Sequence, residues 1–484
     1  MEKNLKPSTS LFTGLSRNFA KPLLAISLLA SLSACAVIDP QHLITRRFGN
    51  EAPPAGVPLS TELRQEAYDF VWNRINEAYF DPQFNGVDWA LTGKTHYPRI
   101  MGARNDSVFW RNLDEMVAEL GDAHTRVLSA KQYAEDKQKQ GVSLGLNVAR
   151  LGQQVIVVGT SKTSPAELAG LKAGDRILEI DDIDAVVWWD QQQGKARKNS
   201  TERAREKSVR RILNAGDPEL DRDSVKLKVE HADQAIESLE LKRGIVSRKD
   251  SLDSKVTDEK LGYLKLTGFD PKLNTSIADH IAKLRDTDGL IIDLRGNGGG
   301  SLDMAINLLN QFVTKQTFIG DRKTRTGKAP SLFFGLISRG GLRLELSGRS
   351  DAYTKPIAVL IDSDSASASE FVSGSLQALG RAKVFGRTSC GCLLAYLGYA
   401  NVPGGGALAY SEVDFVPLSG PRIEGNGVVP DVTIALTRED LMAKRDRVLE
   451  EAKAWLISQR SVLVKAAAQA TAQPNFESPV LSVP

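Results

Sequence analysis

Cysteine is nearly absent from this chain, with three in 484 residues, too few for a disulfide framework. Two of them, Cys390 and Cys392, stand one residue apart; a bridge between them would close a very short, strained loop. No sign of charge dominates. Lys and Arg number 62 against 59 Asp and Glu, a net of +3, and with no long basic block nothing points to a nucleic-acid partner. The apolar run Pro22 to Ala30 is too short to span a bilayer. Histidine is rare, five in all, and no carboxylate–histidine cluster has ligand spacing, so no metal or cofactor is implied. The remaining composition, 42% hydrophobic and 25% charged, is that of a soluble chain long enough for two or three domains.

What is present begins with a targeting segment, residues 1–35. Lys3, Lys6, Arg17 and Lys21 precede the short apolar core, and Leu32-Ser33-Ala34-Cys35 follows it. That ending resembles a bacterial lipobox, which implies cleavage before Cys35 and lipidation of its thiol. Each buried acyl methylene contributes about 0.8 kcal/mol, so several chains hold a soluble body on a membrane. Ala36, rather than Asp, follows the cysteine; by resemblance to Gram-negative lipoprotein sorting this implies the outer membrane, facing the periplasm. Residues 36–58 form a polar tether without periodicity.

Two stretches carry the chemistry. Ile357 to Ile361 is a β-branched apolar run that predicts a buried strand. It leads through Asp362-Ser363-Asp364-Ser365-Ala366-Ser367-Ala368-Ser369-Glu370 into a helix marked by Phe371, Val372, Leu376 and Leu379. Such a turn, at a helix N-terminus, suits a nucleophile and an oxyanion; it equally suits a Ser-rich N-cap with Glu370 as capping carboxylate. The second stretch, Gly289 to Gly300, runs Leu-Ile-Ile-Asp293-Leu294-Arg295-Gly296-Asn297-Gly298-Gly299-Gly300. Its glycines permit close backbone approach and present N–H donors, while the Gly-Lys-Ser/Thr ending of a phosphate loop is missing.

In this order the two stretches resemble the C-terminal-processing (tail-specific) serine peptidases and the tricorn protease core. The resemblance implies an α/β, crotonase-like (ClpP-like) core of β-sheet and helices over residues 255–460, with an N-terminal helical domain at 59–130 and an inserted PDZ domain at 141–245. It implies Ser367 as nucleophile and the backbone N–H groups of Gly299 and Ala368 as the oxyanion hole. In the PDZ-like segment, Ser143-Leu144-Gly145-Leu146 would be the loop whose N–H groups hold a terminal carboxylate while a peptide adds a strand to the sheet edge. Ser164 to Ile180 is a typical PDZ core. Trp188, Trp189 and the charged run Lys195 to Arg211 read as an insertion with a solvated helix.

The general base is where the chain departs from part of that family. The tail-specific enzymes carry a lysine 25 residues after the serine, and position 392 here is cysteine, so a Ser/Lys dyad fails. The tricorn branch instead uses histidine and glutamate. Here His124 ends Leu120-Gly121-Asp122-Ala123-His124-Thr125, and Glu424 lies in Ile423-Glu424-Gly425-Asn426-Gly427-Val428-Val429-Pro430-Asp431. The resemblance therefore implies the set Ser367, His124 and Glu424, and an endopeptidase of envelope proteins or peptides. The alternative is a non-catalytic PDZ lipoprotein that binds protein C-termini. Further elements are expected as follows: a basic surface loop at Lys315 to Ser350, an amphipathic helix at Arg438 to Leu456, and a disordered tail at 461–484. Oligomeric state has no signature.

Overall fold

The computed structural model describes residues 39, 44–47, 53–54, 57–216, 223–332, 337–338 and 341–471. The expected lipidation residue Cys35, the rest of the targeting segment, most of the tether and residues beyond 471 lie outside them. The chain divides into two units. The small one holds the described residues of 1–48 and 329–340, among them a 3-10 turn at Thr45–Arg47 and paired strands Ser331–Leu332 and Ile337–Ser338. The large unit comprises residues 49–328 and 341–484.

Its centre is a six-stranded sheet in the order Leu252–Val256, Gly262–Leu266, Leu290–Asp293, Ile357–Ile361, Lys383–Gly386, Val432–Thr433. The first pair is antiparallel and the rest are parallel. Every residue of Leu290–Asp293 and of Ile357–Ile361 is buried, as a parallel sheet covered on both faces demands. Side chains alternate between the faces. Leu290, Ile292, Ile357, Val359 and Ile361 join the core that includes Met304, Leu308, Phe371 and Leu376. Ile291, Ala358 and Leu360 face Ala452 and Leu456 of the last helix. Removing one such leucine to alanine typically costs about 2–5 kcal/mol. Because the two central strands are parallel and paired Asp293 to Leu360, their C-terminal loops leave side by side, the edge where open α/β sheets bind ligands.

At the N-terminal side stand three helices, Thr61–Ala78, Trp89–Met101 and Asp106–Ala118, capped by Ser60, Asp88 and Asn105. Ala67, Val71, Ile75, Phe109, Leu113 and Met116 pack with Leu394, Val402, Leu408 and Tyr410. The hairpin of Ala400–Val402 and Gly406–Ala409 then pairs with Arg126–Leu128, which fixes the turn just before Arg126.

The middle module is an antiparallel sheet in the order Leu146–Leu151, Gln154–Thr160, Arg176–Ile180, Ser224–Glu230, Ile236–Lys242, with helices Ala185–Lys195 and Glu202–Ala215. Here the insertion reading is corrected: Trp188 and Trp189 are core residues packed with Val155, Ile177 and Val209. The charged helix Glu202–Ala215 buries Ala204, Val209 and Leu213, so its charges occupy one face of a packed element.

Two further expectations change. Lys315 to Ser350 is not simply loop, since Thr317–Thr324 pairs with Arg343–Leu346 and with Val413–Pro417. The helix expected over Arg438 to Leu456 is two, Arg438–Met442 and Arg447–Thr471, broken where Lys444 takes φ 53°. The second continues into the segment expected to be a disordered tail.

Candidate functional site

Ser367 stands between the strand Ile357–Ile361 and the helix Ala368–Ala378 with φ 56° and ψ −116°. A non-glycine residue held there costs of order 1–3 kcal/mol and persists only where its surroundings impose it. They do so through its N–H, which donates to Glu370 Oε2 at 2.9 Å and to the Cys392 carbonyl at 2.9 Å. The sharp strand-to-helix turn leaves the serine half-buried among buried neighbours, the geometry of a nucleophile elbow. The next N–H, that of Ala368, opens the helix and precedes the first intrahelical bond, from Phe371 N–H to the Ser367 carbonyl. Since Ser367 is strained by its backbone, Ser367→Gly is expected to be about 1 kcal/mol more stable than Ser367→Ala in urea unfolding. Equal midpoints would show that the turn carries no strain.

The glycine loop presses against this turn. A Cβ on Gly299 (φ 99°) would stand 2.7 Å from Ser367 Cβ and 3.0 Å from the Ala368 nitrogen, so only glycine fits. Its own N–H, however, donates to Asn297 Oδ1 at 2.9 Å. Of the expected oxyanion pair, the Gly299 donor is engaged within its loop in this structure, while Ala368 keeps the helix-terminal position. Asn297, fully buried, is the organiser that sequence reasoning passed over. Its amide donates to the Leu266 carbonyl, and its own carbonyl accepts from Ala366 N–H and Ser369 Oγ.

Glu370 does more than cap the helix. Fully buried, it accepts from Ser389 Oγ at 2.6 Å, Gly391 N–H at 2.6 Å and Cys392 N–H at 2.9 Å besides Ser367 N–H. Burial raises its pKa against the pull of those hydrogen bonds. Cys390 and Cys392 are joined in a disulfide, with Cα atoms 5.3 Å apart, and both are buried. The strain argument against the bridge is thus overridden, and Cys392 offers no free thiol as nucleophile.

His124 and Glu424 reach the same neighbourhood by separate routes. Ala123 packs against the cluster of Ala366, Cys390, Cys392 and Ala204, which sets the histidine's turn beside the serine's. Asp122 shapes that turn, accepting His124 N–H at 2.7 Å and Thr125 Oγ1 at 2.5 Å. Glu424, also buried, accepts from the N–H groups of Leu393 at 2.6 Å and Leu394 at 3.1 Å. Ser200 connects the two: it accepts from Ala123 N–H at 2.9 Å and bonds Glu424. Among the described residues no hydrogen bond is seen between His124 and Glu424, and His124 Nδ1 is buried without a hydrogen-bond partner. Burial lowers the His124 pKa to about 4, opposed by the Asp122 charge, and Arg126 and Lys207 lower it further. Burial and then the Asp122 charge raise Glu424 to about 8. The imidazole is therefore neutral at pH 7, in the state that accepts a proton.

The Glu424 shift has a measurable sign. A carboxyl whose folded pKa exceeds its unfolded value loses stability as pH climbs towards the folded pKa, because only the unfolded chain ionises freely. From pH 4.5 to 6.5 the lowered His124 acts in the opposite sense; above 6.5 Glu424 acts alone within the pair. Wild-type stability is expected to fall relative to Glu424→Gln by up to about 2 kcal/mol between pH 6.5 and 8, at about 1.4 kcal/mol per pH unit. Parallel stability curves in denaturant titrations would contradict this.

The middle module grips the site. Thr201 Oγ1 donates to the Cys390 carbonyl at 2.5 Å, and Arg203 donates to the carbonyls of Ser389 at 2.6 Å and Asn426 at 2.7 Å. Arg210 pairs with Asp364. In the loop Ser143 to Leu146, expected to hold a carboxylate, Leu144 N–H bonds the Asn214 carbonyl, Gly145 N–H bonds Ser143 Oγ and Leu146 N–H bonds Asn214 Oδ1. Among the described residues, no group of three or more His, Cys, Asp or Glu side chains is placed to hold a metal ion, and no helix is long and apolar enough to cross a membrane.

Comparison with known proteins places this geometry. Residues 260–434 match the model of peptidase family S41, residues 60–118 the tricorn protease C1 domain, and residues 133–205 the PDZ domain. The chain is 26% identical over 375 residues to a carboxyl-terminal-processing protease of Picosynechococcus sp., covering 75% of this chain and 81% of that one. A protein of the same name from Synechocystis sp. is 27% identical over 334 residues, covering 66% and 69%. Mature CPAF superimposes with a TM-score of 0.61 at 16% identity over 84% of this chain and 98% of that one, a likeness of fold. With its core matched by the peptidase family S41 model and its helical domain and PDZ module matched beside it, the chain is similar to the members of that family and is a serine-type peptidase.

Proposed function

We infer that this chain is an endopeptidase of the bacterial cell envelope, held on the outer membrane by acyl chains on Cys35 and facing the periplasm. Ser367 is its nucleophile, His124 the general base, and Glu424 the buried carboxyl group that orients the histidine's turn through Ser200. The observation that carries this reading is the backbone of Ser367: a strained serine at a helix N-terminus, clamped by Glu370 and the Cys392 carbonyl. Its hydroxyl attacks a peptide carbonyl while the His124 turn supplies the base, and the Ala368 N–H stabilises the oxyanion; loss of one such donor costs about 3–4 kcal/mol in the transition state. His124 then protonates the leaving amine, and water resolves the acyl-enzyme. Cys392 occupies the position of the lysine in the dyad enzymes and is tied to Cys390, which leaves the base to histidine. The test is turnover of an unfolded protein substrate. Wild type is expected to give new N-termini within the substrate chain and Ser367→Ala none; equal turnover would end the proposal, and no turnover by either would favour a polypeptide-binding lipoprotein.

A further inference from the structure

The loop that reads a terminal carboxylate in a PDZ module works by offering unpaired backbone N–H groups to the two carboxylate oxygens. In this chain those donors have internal partners, and one residue supplies most of them. Asn214 closes the helix Glu202–Ala215. Its carbonyl accepts from Leu144 N–H at 3.2 Å and its Oδ1 from Leu146 N–H at 2.8 Å. Its Nδ2 donates back to the Leu146 carbonyl at 2.8 Å, so the side-chain amide pairs with the Leu146 backbone as one residue of an added strand would. Ser143 Oγ completes the closure, accepting from Gly145 N–H at 3.0 Å and donating to Asn214 Oδ1 at 3.2 Å.

Asn214 is itself pinned. Nδ2 also donates to the Arg210 carbonyl at 2.9 Å, and Arg243 Nε donates to the Asn214 carbonyl at 3.0 Å. A peptide carboxylate entering the loop would have to break this set, and buried donors released from it would regain only what they lost. The same module does keep an open side: Leu146–Leu151 is the end strand of its sheet, without a strand partner on its outer edge among the described residues.

We propose that Asn214 occupies the carboxylate subsite as a built-in ligand, so that this peptidase selects extended segments within polypeptide chains and does not require a free α-carboxylate. The substrate class rests on the endopeptidase reading; the occupancy of the loop does not. Binding in the full chain carrying Ser367→Ala separates the two. Fluorescence anisotropy would compare an N-terminally fluorescein-labelled decapeptide ending in an apolar residue as free acid and as C-terminal amide. The expected result is affinities within about 3-fold of each other. With Asn214→Ala added, Leu146 N–H is freed while Leu144 N–H stays on the backbone carbonyl of position 214, and the free acid is expected to bind at least about 10-fold tighter than the amide. Asn214→Asp keeps an acceptor in the loop and adds a like charge, so it should show no acid preference. A 10-fold acid preference with Asn214 intact overturns the proposal, and so does its absence in an Asn214→Ala protein whose circular dichroism matches the parent. Neither outcome touches the reading of Ser367 as nucleophile. That reading fails instead if the enzyme with Ser367 intact does not cleave, whatever the peptide terminus.

Discussion

His124→Ala is expected to lower kcat/KM on the order of 10⁴- to 10⁶-fold, with the protein still folded. The reasoning starts from protonation. An unassisted serine hydroxyl is a poor nucleophile at neutral pH, so the rate depends on a neighbour that takes its proton as the new bond forms. In the dyad branch of the family a lysine does this; here the corresponding residue, Cys392, is in a disulfide. His124 is held on the turn that packs against the residues flanking Ser367, with its pKa lowered by burial so that the neutral form prevails. Its removal leaves Asp122 bonded to Thr125 and the strand pairing of Arg126–Leu128 intact, so the loss should fall on catalysis and leave unfolding midpoints nearly unchanged. A loss below about 10-fold would assign the proton to another group.

Glu370→Ala should be the most destabilising single change at the site, at about 3–5 kcal/mol, with activity lost as well. The carboxylate is the common acceptor for Ser389 Oγ, Gly391 N–H and Cys392 N–H, and truncation leaves all three buried donors unpaired. Ser367 N–H keeps one acceptor, the Cys392 carbonyl, but that carbonyl belongs to the segment set free. Glu370→Gln retains the shape and one acceptor oxygen, so it should cost about 1–2 kcal/mol and keep part of the activity. Chemical denaturation of the three proteins at one pH measures the series; a Glu370→Ala cost below about 1 kcal/mol would mean that the 389–392 segment is held by other contacts.

The legible parts of this protein are those written locally. The runs Leu290–Asp293 and Ile357–Ile361 are continuous apolar strands because both sheet faces are covered, and continuous burial leaves a plain mark on composition. Ser367 stands out because strand, small-residue turn and helix follow one another within a few positions. Non-local partnerships leave no such mark. Thr317–Thr324 looked like a basic loop because Asp321, Arg322 and Lys323 interrupt any apolar alternation, while the partner that makes it a strand, Val413–Pro417, is remote along the chain. Glu370 read as a capping carboxylate; its contact with Ser367 N–H agrees, but the three bonds to residues 389–392 required the fold. The helix break at Lys444 has neither glycine nor proline to announce it. Asn214 gave no signal, and Asn297, although inside the glycine stretch, gave none of its partners, since Leu266, Ala366 and Ser369 meet it only in the fold.

The most direct measurement is labelling by a fluorophosphonate, which reacts with a serine only where a base and an oxyanion site activate it. Wild type should take up one equivalent, located by peptide mass on Ser367, with none in Ser367→Ala and labelling of His124→Ala slowed on the order of 10³-fold or more. Absence of labelling in wild type, or a label on any other residue, would contradict the account.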